Sequence, residues 1–411
     1  MDTLGWKIRV LRKARHLTQQ QLGNGRLSAS LVSQIEGHKT FPTPATLAIL
    51  AERLGVDAEY FDEYARVNEQ LHQYRRAKSL FESGNYRDAF AIYEDLISGE
   101  NKDLKLLSLF SEAAECQYRL GRLDDATALY NRTVVAALEQ NNAALAIHTY
   151  YRLGNIQRKR NLFSLARMYW MRAHAVLRQH PEMSMPVAVK VHTNLGRVNY
   201  LLGSYESAKR YYSMGYREAA TLIAHFDQAV IVQGWANVLI ENAEYSVARE
   251  MTERALSLYQ SERHQRGINQ CRLNLAVILR REGKTKEAMD MLTSFLRDPQ
   301  FYRDPIRHAQ ALSERALCSL ALGNPEEAWK DAELFMYMAD SDKETWLTLQ
   351  ATVAEVCVHL RKYGEALDIV RQTLDSLPMA PYPIKLKLKQ LYSLALAGSQ
   401  RLEDALEVAI M

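Results

Sequence analysis

The groups in this sequence best suited to chemistry are amides and cations. Asn155, Asn194, Asn237 and Asn274, with Gln233 and Gln270, recur down the middle of the chain. A carboxamide carries both a donor and an acceptor, so a row of them pairs with an extended peptide backbone as a neighbouring strand would. Arg152, Lys190 and Arg197 stand among them, and a guanidinium or ammonium there selects for a carboxylate. The stretch 146–217 holds twelve Lys/Arg against only Glu182 and Glu206, which predicts an anionic ligand. Two competing readings stay open: each asparagine bonds only to neighbouring helices, and the charge belongs to a solvated outer face. Nearer the amino end stand the polar residues Gln19, Ser28, Ser30, Gln34 and Lys39, with the small Ala29 among them. Catalytic groups are not assembled in the same way. The sequence has no phosphate-binding loop, no HExxH and no GxSxG, and its eleven histidines are scattered. His148, His192 and His225 read as packing or surface residues. Cys116, Cys271, Cys318 and Cys357 make no CxxC pair. Neither catalysis by the chain, nor a metal, nor a cofactor is expected.

The amino-terminal groups need a small helical bundle to present them. Residues 4–15 read as a first helix with Leu4, Ile8 and Leu11 on its apolar side. Thr18 then supplies a cap oxygen, with Gln21 as its capping-box partner. A second helix follows, anchored by Leu22 and containing Gly23-Asn24-Gly25, where two glycines cost on the order of 1 kcal/mol each relative to alanine. Ser28 caps a third helix that stops at Gly37. Pro42 and Pro44 make an extended connection to an amphipathic helix over 46–54. The run TQQQL followed by SASLVSQIEGHKTFPTPATLAILAERLGV resembles the Cro/repressor, or XRE, helix-turn-helix over residues 4–64. That resemblance implies that the third helix lies in the major groove, with Ser28, Ser30 and Gln34 facing base edges, Ala29 touching a thymine methyl, and Gln19 and Lys39 holding phosphates. The reading helix lacks Arg and Lys, which leaves open a head kept for dimerisation or docking.

The amides of the chain's middle need a scaffold with a period near forty. A turn of the form Gly-x-(aromatic/Leu)-x-x-Ala recurs as GNYRDA, GRLDDA, GSYESA, GKTKEA and GNPEEA, with weaker versions RNLFSLA, NAEYSVA, RKYGEA and SQRLEDA. Its alanines are Ala89, Ala126, Ala166, Ala208, Ala248, Ala288, Ala328, Ala366 and Ala405. Twelve residues before each stands a small residue: Ala77, Ala114, Gly154, Gly196, Ala236, Ala276, Ala316, Ala354 and Ser393. Two small positions per unit are what the close crossing of two helices requires. An apolar or aromatic residue often follows four after the alanine, as at Tyr93, Tyr130, Trp170, Tyr212 and Leu292. The pattern is similar to the tetratricopeptide repeat, with helices lengthened so that the usual ~34 residues become about forty. The expected architecture is therefore all-α: a helix-turn-helix bundle over 1–64, a linker helix over 65–72, and a right-handed α-solenoid of about nine repeats over 73–411. In that family the first helix of each pair lines a concave groove, and counting from the turn alanines brings Tyr151, Arg152, Asn155, Lys190, Thr193, Asn194, Arg197, Gln233, Asn237, Gln270, Asn274, Gln310 and Ser313 to it.

Composition agrees with this division. Residues 1–53 carry eight Lys/Arg against three acids, leaving the remaining chain nearly neutral, as a modest DNA-binding head on a neutral body requires. No window approaches the ~18 unbroken apolar residues of a membrane span, and well-separated cysteines suit a reducing compartment, so a cytoplasmic protein without membrane contact is expected. The whole layout resembles the RNPP quorum-sensing regulators of low-GC Gram-positive bacteria. The resemblance implies a transcription regulator that binds double-stranded operator DNA, takes a short signalling peptide in its groove, and works as a homodimer or larger homo-oligomer. It gives Asn155, Asn194, Asn237 and Asn274 the peptide-holding role and has the peptide alter the spacing of two DNA heads. Some relatives instead sequester a phosphorelay protein through the repeats, which leaves a protein-docking regulator as the alternative. An orphan regulator whose array only dimerises is a third.

Overall fold

Left-handed turns punctuate this chain at close to regular intervals and cut it into helix pairs. At the Gly position of the repeated turn motif, Gly84, Gly121, Gly203, Gly283 and Gly323 have φ between 74° and 83°. The weaker motifs adopt the same conformation without glycine: Asn161, Ala243, Arg361 and Gln400 have φ of 59°, 57°, 56° and 64°. The backbone requirement is therefore constant, and glycine is only its cheapest solution. The computed structural model describes residues 4–37, 39–40, 42–99, 106–181, 186–336, 343–376, 381–401 and 404–405, and among these it is helical with no strand. The chain divides into two compact units, Met1–Asn141 and Asn142–Met411.

The first unit begins with α1 (Leu4–Ala14), α2 (Gln19–Gly23), α3 (Ala29–Glu36) and α4 (Pro44–Leu54), closed by a 3₁₀ turn over Ala58–Phe61. Ile8, Leu22, Val32, Ile35, Leu47, Leu50, Leu54 and Phe61 form its core. The expected capping box is present: the Gln21 N–H donates to Thr18 Oγ1 at 3.1 Å, and the Thr18 N–H to Gln21 Oε1 at 2.8 Å. The expected glycine penalty in the second helix does not arise. α2 ends at Gly23, and Asn24 is its left-handed cap with φ of 43°, so Gly25 lies outside the helix. Four further helices complete the unit: α5 (Asp62–Glu82), α6 (Tyr86–Ser98), α7 (Leu106–Arg119) and α8 (Leu123–Glu139). The expected linker over 65–72 is the amino-terminal part of α5, which continues as the first helix of the first repeat.

The second unit consists of helix pairs α9 (Ala143–Lys159) with α10 (Phe163–Gln179), α11 (Pro186–Leu201) with α12 (Tyr205–Thr221), and α13 (His225–Glu241) with α14 (Tyr245–Ser261). Next come α15 (Gln265–Arg281) with α16 (Thr285–Arg297), and the single turn α17 (Pro299–Tyr302). The pairs α18 (Pro305–Ala321) with α19 (Pro325–Met336) and α20 (Lys343–His359) with α21 (Tyr363–Ser376) follow, then α22 (Tyr382–Gly398). Every turn alanine is buried, as are the small residues paired with them apart from half-buried Ser393. A Cβ on Gly154 would lie 2.3 Å from Trp170 Nε1, and one on Gly196 would lie 2.6 Å from Tyr212 Cδ1. The two helices of a pair thus cross where a small side chain faces a large one. Ser393 closes the series, its Oγ donating to the Ala405 carbonyl at 3.0 Å. The extra residues of the long period go into both helices of a pair, several of which run seventeen residues.

Candidate functional site

Residues of the first helices, with Asn161 and Tyr212, line a cavity of about 650 Å³ in the second unit. Its lining includes Arg158, Lys159, Arg197 and Arg307 and not one carboxylate. Its amides are wired together. Gln270 Nε2 donates to Asn274 Oδ1 at 2.9 Å, and Asn274 Nδ2 donates to Asn237 Oδ1 at 2.8 Å. Tyr259 Oη donates to Gln233 Oε1 at 2.8 Å. These bonds fix the rotamers of three lining side chains, Gln233, Asn237 and Gln270. Each keeps one polar end without a partner among the described residues: the NH₂ groups of Gln233 and Asn237, and the carbonyl of Gln270. Two donors and an acceptor held in this way match what an extended backbone presents. Further along, Arg307 donates to Gln310 Oε1 at 3.1 Å, and Gln310 Nε2 to Thr345 Oγ1 at 3.3 Å.

A second candidate surface lies on the head. Ala29, Ser30 and Gln34 are exposed along α3, as is Lys39 beyond it. Ser28 Oγ accepts the Leu31 N–H at 3.1 Å, so its acceptor caps the helix. Gln34 Oε1 accepts from Thr40 Oγ1 at 3.0 Å. Gln19 is committed inward, Nε2 donating to Glu36 Oε2 at 2.9 Å. Glu36 is also held by Arg12, with Nε to Oε1 at 2.5 Å and a second bond of 2.9 Å to Oε2, and the same guanidinium reaches the Leu17 carbonyl at 2.7 Å. Burial pushes the Glu36 carboxyl upward, and the hydrogen bonds from Arg12 and Gln19 outweigh it, leaving the group below its ordinary value. Of the eight cations in the head, Arg12, Arg15, Arg26 and Arg53 all bond to protein partners. The sequence count therefore overstates the charge available to phosphates.

Set against known proteins, the tetratricopeptide repeat family matches residues 74–142. None of the curated proteins compared matches the sequence. Among solved structures, a tetratricopeptide repeat protein from Parabacteroides merdae superposes with a TM-score of 0.53 at 16% identity, over 71% of this chain and 98% of that one. The apo form of RapI gives 0.53 at 12% identity, over 82% and 98%. A Rap protein complexed with competence and sporulation factor gives 0.50 at 16% identity, over 84% and 99%. The fold is a tetratricopeptide-repeat fold.

Of the expected groove residues, Thr193, Arg197, Gln233, Asn237, Gln270 and Gln310 line the cavity. Arg152, Asn155, Lys190, Asn194 and Asn274 do not. Asn155 and Asn274 are buried, and Asn194 Nδ2 donates to Asn155 Oδ1 at 3.2 Å across the seam between α9 and α11. Asn274 acts one step back, as the strut between Gln270 and Asn237. Ser313 is likewise spent in the seam, 2.8 Å from Thr352 Oγ1. Among the lining residues that counting missed, Arg307, Thr345 and Thr348 sit near the start of first helices, and Arg158, Lys159, Tyr200 and Leu201 near the end of theirs. A count fixed on the middle of the first helix does not reach its two ends. A buried chain of another kind lies beside the cavity: His174 Nδ1 is 2.8 Å from His192 Nε2, and His192 Nδ1 is 2.7 Å from Glu218 Oε2. His192 is thus a packing residue, as its place in the sequence implied. Among the described residues no group of His, Cys, Asp and Glu could hold a metal, and no helix is long and apolar enough to cross a membrane.

Proposed function

We propose that this chain is a regulator in which the second unit holds a short anionic peptide and the head reads double-stranded DNA. The observation that carries the first half is the cavity lining: four cations, no carboxylate, and fixed amides with donors and an acceptor to spare. A peptide satisfies both features at once. Its backbone pairs with Gln233, Asn237 and Gln270, and its terminal carboxylate or an acidic side chain meets Arg197 and its neighbours. One structural neighbour was solved with competence and sporulation factor bound, in keeping with a ligand-holding array. The second half rests on the head, where capped α3 exposes Ala29, Ser30 and Gln34 beside Lys39, the arrangement a reading helix needs. In this reading the chain assembles as a homodimer and ligand binding shifts the population of DNA-competent states.

The test is calorimetric titration of the full chain with short acidic peptides, each as the free acid and as the carboxy-terminal amide. Micromolar or tighter binding is expected. Asn237→Ala should weaken it at least about tenfold, which is about 1.4 kcal/mol. Loss on amidation places the terminal carboxylate among the cations. Retention with an acidic side chain places that side chain there. No heat from any acidic peptide refutes the reading of the cavity.

A protein-docking regulator remains the second reading, favoured by the inward commitment of Gln19 and of half the head's cations. In that reading the array sequesters a protein such as a phosphorelay component, and the head binds DNA weakly.

A further inference from the structure

The far end of the second unit touches its fourth repeat. A Cβ built on Gly203 would lie 2.4 Å from Tyr382 Cδ1, 2.8 Å from Cγ and 2.9 Å from Cε1. The Tyr382 ring, on the first residue of α22, therefore lies directly against the bare backbone of the turn between α11 and α12. Gly203 has a φ of 74° in that turn, so both the turn and the contact call for glycine. Tyr382 remains 48% exposed, so one side of its ring covers the turn while the rest meets solvent. A contact of this size can open without disturbing a core.

This contact leads to the cavity. Leu201, two residues before Gly203, lines the cavity, and Tyr205 stands two residues beyond that glycine. Its ring lies 6.1 Å from that of Tyr200, and Tyr200 lines the cavity. Tyr200 sits on the same helix as Thr193 and Arg197, two further lining residues. The closing contact thus falls on the turn that directly follows the cavity wall, with the Tyr200–Tyr205 ring pair across that turn.

We infer that Tyr382 against Gly203 is a clasp that closes the second unit on itself, and that the clasp and the α11 wall of the cavity move as one two-state element. The inference rests on the reading of that cavity as a ligand site, because the clasp is its regulation: a ligand that prefers the closed wall shuts the clasp, and opening the clasp weakens the ligand.

The test needs no ligand. In the full chain, Gly203→Cys with Tyr382→Cys places two thiols at disulfide range, and the four native cysteines are all buried. In a glutathione redox buffer the pair is expected to oxidise within one chain. Hydrogen exchange of the backbone amides over 197–201 should then slow about tenfold relative to the reduced protein. Tyr382→Ala, a change at a half-exposed position, should speed exchange over the same amides. Failure of the pair to cross-link, or a cross-link that leaves exchange over 197–201 unchanged, overturns the clasp. Failure of acidic peptides to bind the wild type is a separate result and refutes only the ligand reading.

Discussion

Glu36 shows how much a single side chain can fix in a small bundle. Its carboxylate gathers Arg12 from α1 and Gln19 from α2 at the end of α3, so three helices meet at one buried charge. Breaking a buried pair leaves the other charge uncompensated, at about 3–5 kcal/mol. Glu36→Gln should destabilise the head by about that amount, read by denaturant unfolding of the full chain followed at the head. The pH dependence follows from the sign of the shift. A carboxyl held below its ordinary value contributes fully above that range, and its contribution fades as pH falls through the depressed value. The acid limb of head unfolding should therefore flatten in Glu36→Gln. His174 has the opposite dependence on charge. Burial, then His192, Arg178 and Arg210, push its imidazole down to about 4. The folded state thus keeps it neutral while the unfolded chain protonates it below pH ~6.5. Stability from this site is full above that pH and falls between about 6.5 and 4, so His174→Phe should remove part of the acid sensitivity in that window. A thermal unfolding series against pH checks it, and an unchanged slope refutes it. Neither network was legible in the sequence. Arg12 and Glu36 are 24 residues apart with no periodic signal between them, and His174 and His192 lie in different repeats.

At the scale of the element, the repeats were legible because packing and turn geometry impose them on residue type. The crossing of α11 with α12 admits no side chain at position 196. Gly196→Ala would drive a Cβ to 2.6 Å from the buried Tyr212 ring, and overpacking of this kind costs about 1–3 kcal/mol. The turn between α12 and α13 shows the opposite case, where sequence and backbone disagree. Ile223 has a φ of 53°, costly for a β-branched residue, and it is 75% exposed, so no buried contact compensates. Ile223→Gly should therefore raise stability by about 1 kcal/mol, whereas Gly196→Ala lowers it. Both are read as shifts in denaturant midpoint at constant slope. The groove register was legible only in part, for a related reason. Counting from the turn alanine finds residues that face inward, but it does not tell whether an amide there meets a ligand or another helix. Asn155 and Asn194 meet each other across a helix seam, while Asn237 lines the cavity.

At the scale of the whole molecule, the proposed regulator has to connect a ligand cavity in the second unit with a DNA surface in the first. Thermodynamic linkage then imposes a condition independent of how that connection is made. If a peptide changes operator affinity by some factor, the operator changes peptide affinity by the same factor. Couplings of this kind usually amount to about 1–3 kcal/mol, or roughly 5–150-fold. The DNA side carries its own signature, because affinity gained from phosphates falls with salt in proportion to the cations engaged. Arg12, Arg15, Arg26 and Arg53 are occupied within the head, so the salt slope should be shallow. Lys39→Ala should reduce that slope by about one per head without changing sequence preference, and Gln34→Ala should alter preference and leave the slope. Measured together, peptide titrations with and without operator and operator titrations with and without peptide must close the cycle. Equal factors on both arms, greater than one, support a DNA-reading sensor. A factor of one on both arms, with peptide bound tightly all the same, separates the cavity from the head and favours a docking role for the array.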